Sequence, residues 1–308
     1  MLLKEFISGS VRGLEPIYGP QEARSIVMRL CEACLDTKSY THIINPDFEI
    51  GADKMPVLDA AMARLMAGEP LQYVLGFAEF CGFRFKVGPS VLIPRQETEL
   101  LCRMASESIS RRKRMRSAFG KSEVKVLDLC TGSGCIAWTL ALSVPGTRVF
   151  GVDVSEEALD VASGQDFRSE LKRQDAIRPS FLKCDILDLG EGGCLPEEIS
   201  GQGGFDVLVS NPPYVRESEK ARMKDNVLGH EPGLALFVPD EDPLKFYRAI
   251  AFWAGQTLVP GGAGFVEINE ALGHETERIF EAAGFSGVGI INDLCGKNRF
   301  VKFIRWPL

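Results

Sequence analysis

The chain has 308 residues, 45% apolar and 25% charged, with a formal net charge of −7. That length supports one large or two ordinary domains around a real core, and the acidic balance argues against a generic nucleic-acid binder while leaving local basic patches open. No apolar run approaches the roughly 18 residues of a membrane span, and "MLLKEFISGS" lacks the basic start and long apolar stretch of a signal peptide, so a cytoplasmic protein with no membrane contact is expected.

Residues 1–75 read as helical. "YGPQEARSIVMRLCEACL" (18–35) begins at a Gly-Pro break and then runs without breakers, and "DKMPVLDAAMARLMAGEP" (53–70) has Pro56 near its start and Gly68 near its end. No chemical motif appears in this part, and a small helical bundle is the expectation. Cys31 and Cys34 form a C-x-x-C there with no second pair and no histidine cluster nearby. The nine cysteines are odd in number, and Cys130, Cys135 and Cys184 lie in apolar runs. They read as buried free thiols of a reducing compartment. With three scattered histidines, and "HETE" at 274–277 not matching H-E-x-x-H, no metal site is expected.

"GFAEFCGFRFKVGPSVLIP" mixes aromatic and β-branched residues with glycines and predicts a hairpin that connects two domains. A helix is expected from Glu97 to about Ile109, followed by "RRKRMR" (111–116). Those cations suit a solvated helix C-terminus; a contact with RNA or an acidic partner is the alternative.

From Val124 on, apolar runs at 124–130, 148–154, 180–185, 205–211, 263–269, 287–292 and 299–305 alternate with helical segments. This predicts an open α/β sheet with helices on both faces. The last connection is too short for a crossover, so the final two strands should pair antiparallel.

"VLDLCTGSGCIA" (126–137) is a strand, a glycine loop and a helix start. Gly132 and Gly134 let the backbone approach a ligand, and amides at the helix N-terminus can hold a polar or anionic group. The G-x-G-x-x-A pattern alone fits a dinucleotide site equally well. Asp153 ends the next strand, where a carboxylate can accept from both ribose hydroxyls of NAD or of S-adenosylmethionine. Asp185 ends the third, where an acid can accept from the adenine amino group. Either could instead cap the following helix. The fourth strand ends in Asn211-Pro212-Pro213-Tyr214. Two prolines stop the ladder and stiffen the tip, which presents an amide oxygen, backbone carbonyls and an exposed aromatic face. Those groups suit a planar substrate bearing an NH2 group and offer no general acid or base for hydride transfer.

N-P-P-Y after strand four, beside a T-G-S-G loop, resembles class I methyltransferases that methylate a planar nitrogen of adenine, cytosine or a glutamine side chain. The stretches 69–101, "HEPGLALFVPDEDPLKFYRAI" (230–250) and "DLCGKNRFV" (293–301) are similar to the bacterial peptide chain release factor N5-glutamine methyltransferase family, over about residues 15–305. Two positions depart from its pattern: Gln96 stands where the family usually has Pro, and Cys130 where it usually has Gly. Ribosomal protein L3 glutamine methyltransferases also carry C-T-G-S-G, so Cys130 speaks for that substrate, while "RQETE" and "HEPGLALF" speak for release factors.

The resemblance implies a seven-stranded Rossmann-like sheet with its last strand antiparallel (95–308), a hairpin linker (76–94) and a helical substrate-recognition domain (1–75). It implies S-adenosylmethionine as cofactor, S-adenosylhomocysteine as product, and the Gly-Gly-Gln loop of a release factor as substrate. Cys130, Thr131, Gly132, Ser133 and Gly134 would hold the methionine end. Asp153 would take the ribose, Asp185 the adenine amino group, and Ile186 the adenine ring. Asn211, which also borders the cofactor, and the Pro212 carbonyl would hold the nucleophile, with Pro213 and Tyr214 shaping the slot. Arg95 and Glu97 would contact cofactor, organise the pocket or form a buried ion pair; Glu267 would line the site or cap a helix. DNA adenine methylation is the enzyme alternative, at odds with the net charge because duplex DNA needs an electropositive groove. A non-enzymatic binding module is the other. No direct DNA contact is expected, and RNA contact only through Arg111–Arg116.

Overall fold

The computed structural model describes residues 1–118, 123–188 and 195–306. The chain forms two compact units, Met1–Phe77 with Met223–Glu231, and Ala78–Arg222 with Pro232–Leu308.

The first unit opens with α1 (Leu3–Tyr18), α2 (Pro20–Leu35), α3 (Thr41–Ile44), α4 (Met55–Met66) and α5 (Leu71–Leu75). Pro20 sits at the first position of α2 and Pro56 in the first turn of α4, where a missing N–H costs nothing. Leu14, Val27, Leu30, Leu58 and Leu65 meet at 0% exposure in its core. The contiguous division at residue 75 is incomplete, because residues 223–231 also belong to this unit. Lys224 anchors them through an ion pair with Glu22 of α2 at 2.9 Å.

In chain order there follow β1 (Phe77–Phe80), β2 (Phe83–Lys86), α6 (Gln96–Ser117), β3 (Val124–Leu129), α7 (Cys135–Ser143), β4 (Thr147–Asp153), α8 (Glu156–Ser163), α9 (Arg168–Gln174) and β5 (Ser180–Lys183). Then come α10 (Glu197–Ser200), β6 (Phe205–Ser210), β7 (Val215–Arg216), α11 (Asp225–His230), β8 (Phe237–Val238), α12 (Lys245–Thr257), β9 (Leu258–Glu267), α13 (Gly273–Ala282), β10 (Ser286–Asn292) and β11 (Asn298–Ile304). α11 lies in the segment that joins the first unit.

The hairpin turns at Cys81 and Gly82, both at positive φ (50° and 77°), the two-residue turn whose twist matches antiparallel strands. The large sheet runs β10-β11-β9-β6-β3-β4-β5, with β11 antiparallel to both neighbours and the pairs from β9 to β5 parallel. Its central strands are buried on both sides, as crossover helices require. Val126, Val207 and Val209 face the layer of Trp138, Phe85 and Leu101, while Leu127, Leu129 and Leu208 face that of Tyr247, Trp253 and Phe280; this is the two-residue alternation of a strand.

Two boundaries differ from expectation by several residues. α6 does not stop near Ile109 but carries the basic tract to Ser117. β9 begins at Leu258, five residues early, because Phe205 pairs with Leu258 and Val207 with Ala263, and the irregularity between them absorbs Pro260-Gly261-Gly262. Such residues read as a turn in sequence and serve as a bulge in the sheet.

Candidate active site

β3 pairs with β4 on one side and β6 on the other, so the connections reverse direction between β3 and β6. Ligands of open α/β sheets bind at such a point, beyond the carboxyl ends of the strands. A cavity of about 430 Å³ lies there, within the size range of small-ligand sites. Its wall includes Cys130, Thr131, Gly132 and Ser133 after β3, Asp153 at the end of β4, Asp185 and Ile186 after β5, and Asn211 and Pro213 after β6. Arg95 and Thr98, at the start of α6, also line it.

The loop after β3 is braced from β4. Asp153 Oδ2 accepts the Gly132 amide at 2.8 Å and Oδ1 the Ser155 amide at 3.0 Å. Ser155 caps α8, its Oγ accepting from the Ala158 amide at 3.1 Å. Asp153 is thus a structural brace, and each oxygen keeps a second lone pair for a ligand hydroxyl. Burial raises its pKa, while the amides of Ser155 and Gly132 pull it down. Asp185 Oδ1 accepts the Leu187 amide at 2.9 Å, and Ile186 is held by its carbonyl, which accepts from Trp253 Nε1 at 3.2 Å.

Gly132, at φ 54°, would have nothing within 4 Å of a Cβ, so the loop presents bare backbone. Gly134 differs from the expectation: it is off the cavity wall, and a Cβ there would lie 3.0–3.1 Å from Ala162, Phe181 and Trp138. Close packing under α7 accounts for that glycine. Cys130 sits at φ 60°. A side chain in that left-handed region costs roughly 1–2 kcal/mol, which is the physical reason glycine suits the position. Gln96 occupies the first position of α6, where proline is equally at home.

Asp128, in β3 beneath the loop, went unmarked in the sequence. It is 0% exposed and its Oδ2 accepts from Thr131 Oγ1 at 2.6 Å. Burial pushes its carboxyl up to about 7, the Thr131 hydroxyl opposing and the Asp153 charge adding to the rise. The unfolded chain loses this proton near pH 4, so between about 4 and about 7 the native state binds more protons than the unfolded state. Stability from this group therefore falls as pH rises through that window. Asp128→Asn removes the ionisable group and can still accept from Thr131. Its melting temperature should match wild type near pH 4 and exceed it progressively toward pH 8, measured by calorimetry across that range; a pH-independent difference would exclude this origin.

The tip after β6 is arranged differently from the sequence reading. Tyr214 is not an exposed face: its ring packs against the buried cluster on one face of the sheet, and its hydroxyl donates to Glu267 Oε1 at 2.9 Å. Burial and the neighbouring Glu267 carboxylate raise its pKa well above the usual value. Tyr214 and the buried Pro212 are set back from the cavity wall, whereas Asn211 and Pro213 form part of it. Glu267, 1% exposed, neither lines the cavity nor caps a helix; Asn269 caps the turn that follows, its Oδ1 accepting from Ala271. Glu267 Oε2 accepts from Thr98 Oγ1 at 2.7 Å, and Thr98 Oγ1 accepts from Asn211 Nδ2 at 3.3 Å. Burial raises the Glu267 pKa against the pull of these hydrogen bonds and of Arg299. Glu97 is exposed and off the cavity wall, so it makes no buried ion pair. A helix turns each residue by about 100°, and here that rotation puts Thr98 inside and Glu97 outside. Thr98, on the cavity wall and bonded to Asn211, is a residue that sequence reasoning missed.

The basic tract is partly structural. Asp206, 1% exposed at its side chain, takes Arg112 at 3.3 Å and Arg116 at 3.1 Å, and Lys113 donates to the Pro145 carbonyl. No helix among the described residues is long and apolar enough to cross a membrane.

Family models described as PrmC N-terminal domain and methyltransferase domain match residues 14–76 and 120–247. The release factor glutamine methyltransferase of Bacteroides thetaiotaomicron is 39% identical, covering 94% of this chain and 95% of that one. The enzyme of the same name from Flavobacterium psychrophilum is 34% identical, covering 98% and 99%. Among solved structures, the hMettl16 catalytic domain in complex with an RNA hairpin matches at a TM-score of 0.52 and 14% identity, covering 79% of this chain and 84% of that one; this likeness shows the fold alone. Identity at this level along nearly the whole of both chains places the protein in the release factor glutamine methyltransferase family.

Proposed function

We propose that this chain methylates the side-chain amide nitrogen of the glutamine in the Gly-Gly-Gln loop of peptide chain release factors, with S-adenosylmethionine as methyl donor. The observation that carries the reading is Asn211, held on the wall of the strand-end cavity in a chain that is 39% identical to a release factor glutamine methyltransferase. The residues present fit the cofactor: bare backbone at Gly132 for its methionine end, and carboxylates at Asp153 and Asp185 for ribose and adenine amino group, with Ile186 against the ring.

The cofactor supplies a methyl carbon activated by its sulfonium. The chain supplies position. An amide nitrogen is a poor nucleophile because its lone pair is delocalised. Asn211 Nδ2 is engaged by Thr98, which leaves Oδ1 to accept an N–H of the substrate amide. An acceptor fixed against the N–H bond aims the lone pair and stabilises the positive charge that grows on nitrogen. Alignment of this kind is worth up to roughly 7–11 kcal/mol. Gly132, Asp153, Asp185 and Ile186 would hold the cofactor while its methyl group passes to the nitrogen, the S–CH3 bond breaking as the N–CH3 bond forms, and the nitrogen would lose its proton to water. The helical unit would hold the body of the release factor, an assignment supported by its lack of chemical motifs and by exposed Tyr40, Ile43 and Ile44.

Labelled S-adenosylmethionine with purified release factor, its Gln-to-Ala loop variant, ribosomal protein L3 or duplex DNA tests the reading. Label on the release factor and none on the loop variant is the expected result. Label on L3 or DNA alone would leave the fold and cofactor in place and overturn the substrate.

A further inference from the structure

Thr98, Glu267 and Tyr214 form one hydrogen-bonded chain behind Asn211, and none of the three is needed to contact substrate. With Glu267 ionised, its proton directions follow by elimination. Glu267 as a carboxylate can only accept. It lies in β9, paired with Phe300 of β11, and receives Tyr214 on Oε1 and Thr98 on Oε2. Thr98 has one hydroxyl proton, and once this is committed to Glu267, Oγ1 can only accept from Asn211. Asn211 must therefore turn its NH2 toward Thr98 and its oxygen toward the cavity. Amide orientation is invisible to packing, because O and NH2 are nearly the same size; only such a network can choose between the two. Asn269 fixes the other end, donating to the Tyr214 carbonyl at 3.1 Å and to Glu219 at 2.9 Å.

We propose that Glu267, acting through Thr98, is a positioning residue that holds Asn211 with its acceptor oxygen facing the substrate amide. This inference rests on the methylation reading above. Reversing the chain would present NH2 to NH2, donor against donor, at the point of attack. Glu267→Gln does this with almost no change of shape. With its new NH2 toward Tyr214, the Tyr214 hydroxyl proton would lose its acceptor; with the NH2 toward Thr98, Tyr214 keeps the oxygen, and Thr98 sends its proton to Asn211 and turns that amide over. Thr98→Val keeps the volume and removes the relay, whereas Thr98→Ser restores it.

The test is steady-state methylation of release factor by wild type and these three variants, alongside S-adenosylmethionine binding by calorimetry and thermal melts. Thr98→Val and Glu267→Gln should lower kcat about 10- to 100-fold with cofactor affinity and KM within about threefold. Thr98→Ser should recover most of kcat. A purely structural role predicts instead that melting temperature and cofactor binding fall together and that Thr98→Ser gives no selective rescue; that result would overturn the proposal. Should Thr98→Val not fold, Glu267→Gln carries the same comparison. Wild type that labels no release factor at all sinks the functional reading. Wild type that labels it, with Glu267→Gln and Thr98→Val at wild-type kcat, sinks the positioning role alone.

Discussion

Asn211→Ala should lower kcat for release factor methylation by about 10²- to 10³-fold, the usual cost of removing one preorganised hydrogen-bonding group from a charge-developing centre. Cofactor affinity should fall far less than kcat, because the groups assigned to ribose, adenine and methionine end lie on other strand ends and Asn211 only borders the cofactor. Asn211→Asp should be nearly as inactive although it keeps two acceptor oxygens. Its oxygen facing Thr98 would compete with Glu267 for one hydroxyl proton, where the native amide donates. Single-turnover methyl transfer at saturating cofactor is the measurement, since it separates chemistry from binding and release. If Asn211→Ala retained more than about a tenth of wild-type turnover, Asn211 would not be the group that aligns the nucleophile.

The largest effect on stability should come from Gly264→Ala. Gly264 lies in β9, opposite Leu208 of β6 and Phe303 of β11. A Cβ there would fall 2.0 Å from the Phe303 ring. The ring has no room to retreat: Phe303 is 0% exposed, stacked on Phe280 at 4.1 Å and packed on Phe285 at 4.7 Å. Overpacking costs typically 1–3 kcal/mol and more where neighbours are rigid, so a loss of at least about 3 kcal/mol is expected, or roughly 6–12 °C in melting temperature for a domain of this size. Phe303→Leu in the Gly264→Ala background should recover part of that loss while destabilising on its own, a coupling that a double-mutant cycle reads directly. Additive effects of the two substitutions would show that the ring and the glycine do not share this space.

The strands and the glycine loop were legible because their signals are local: apolar runs of strand length, an acid after the second and third strands of the α/β unit, glycines where the backbone turns. Cys130 could be singled out only by resemblance, and its φ of 60° supplies the cause. The residues behind the tip were not legible. Thr98 and Glu267 are 169 positions apart, and Asn211 and Thr98 are 113 apart; no periodicity links them. Tyr214 was misread as exposed because a polar tip suggests solvent, whereas a buried carboxylate was waiting for its hydroxyl. Glu97 and Thr98 illustrate the limit of motif reading: the motif marks the right helical turn, and only the rotation of the helix decides which neighbour faces inward.

The two prolines between Asn211 and Tyr214 also bear on the unfolded chain. Ordering an ordinary residue costs roughly 1–2 kcal/mol of backbone entropy. Pro212 and Pro213 have φ restricted before folding begins, so much of that disorder is never present to be lost. The segment that must be stiffest for alignment is therefore stiff by covalent structure, and its rigidity draws little on the cooperative stability of the sheet behind it. Turnover should then decline with temperature only as the sheet itself opens, without an earlier softening of the tip.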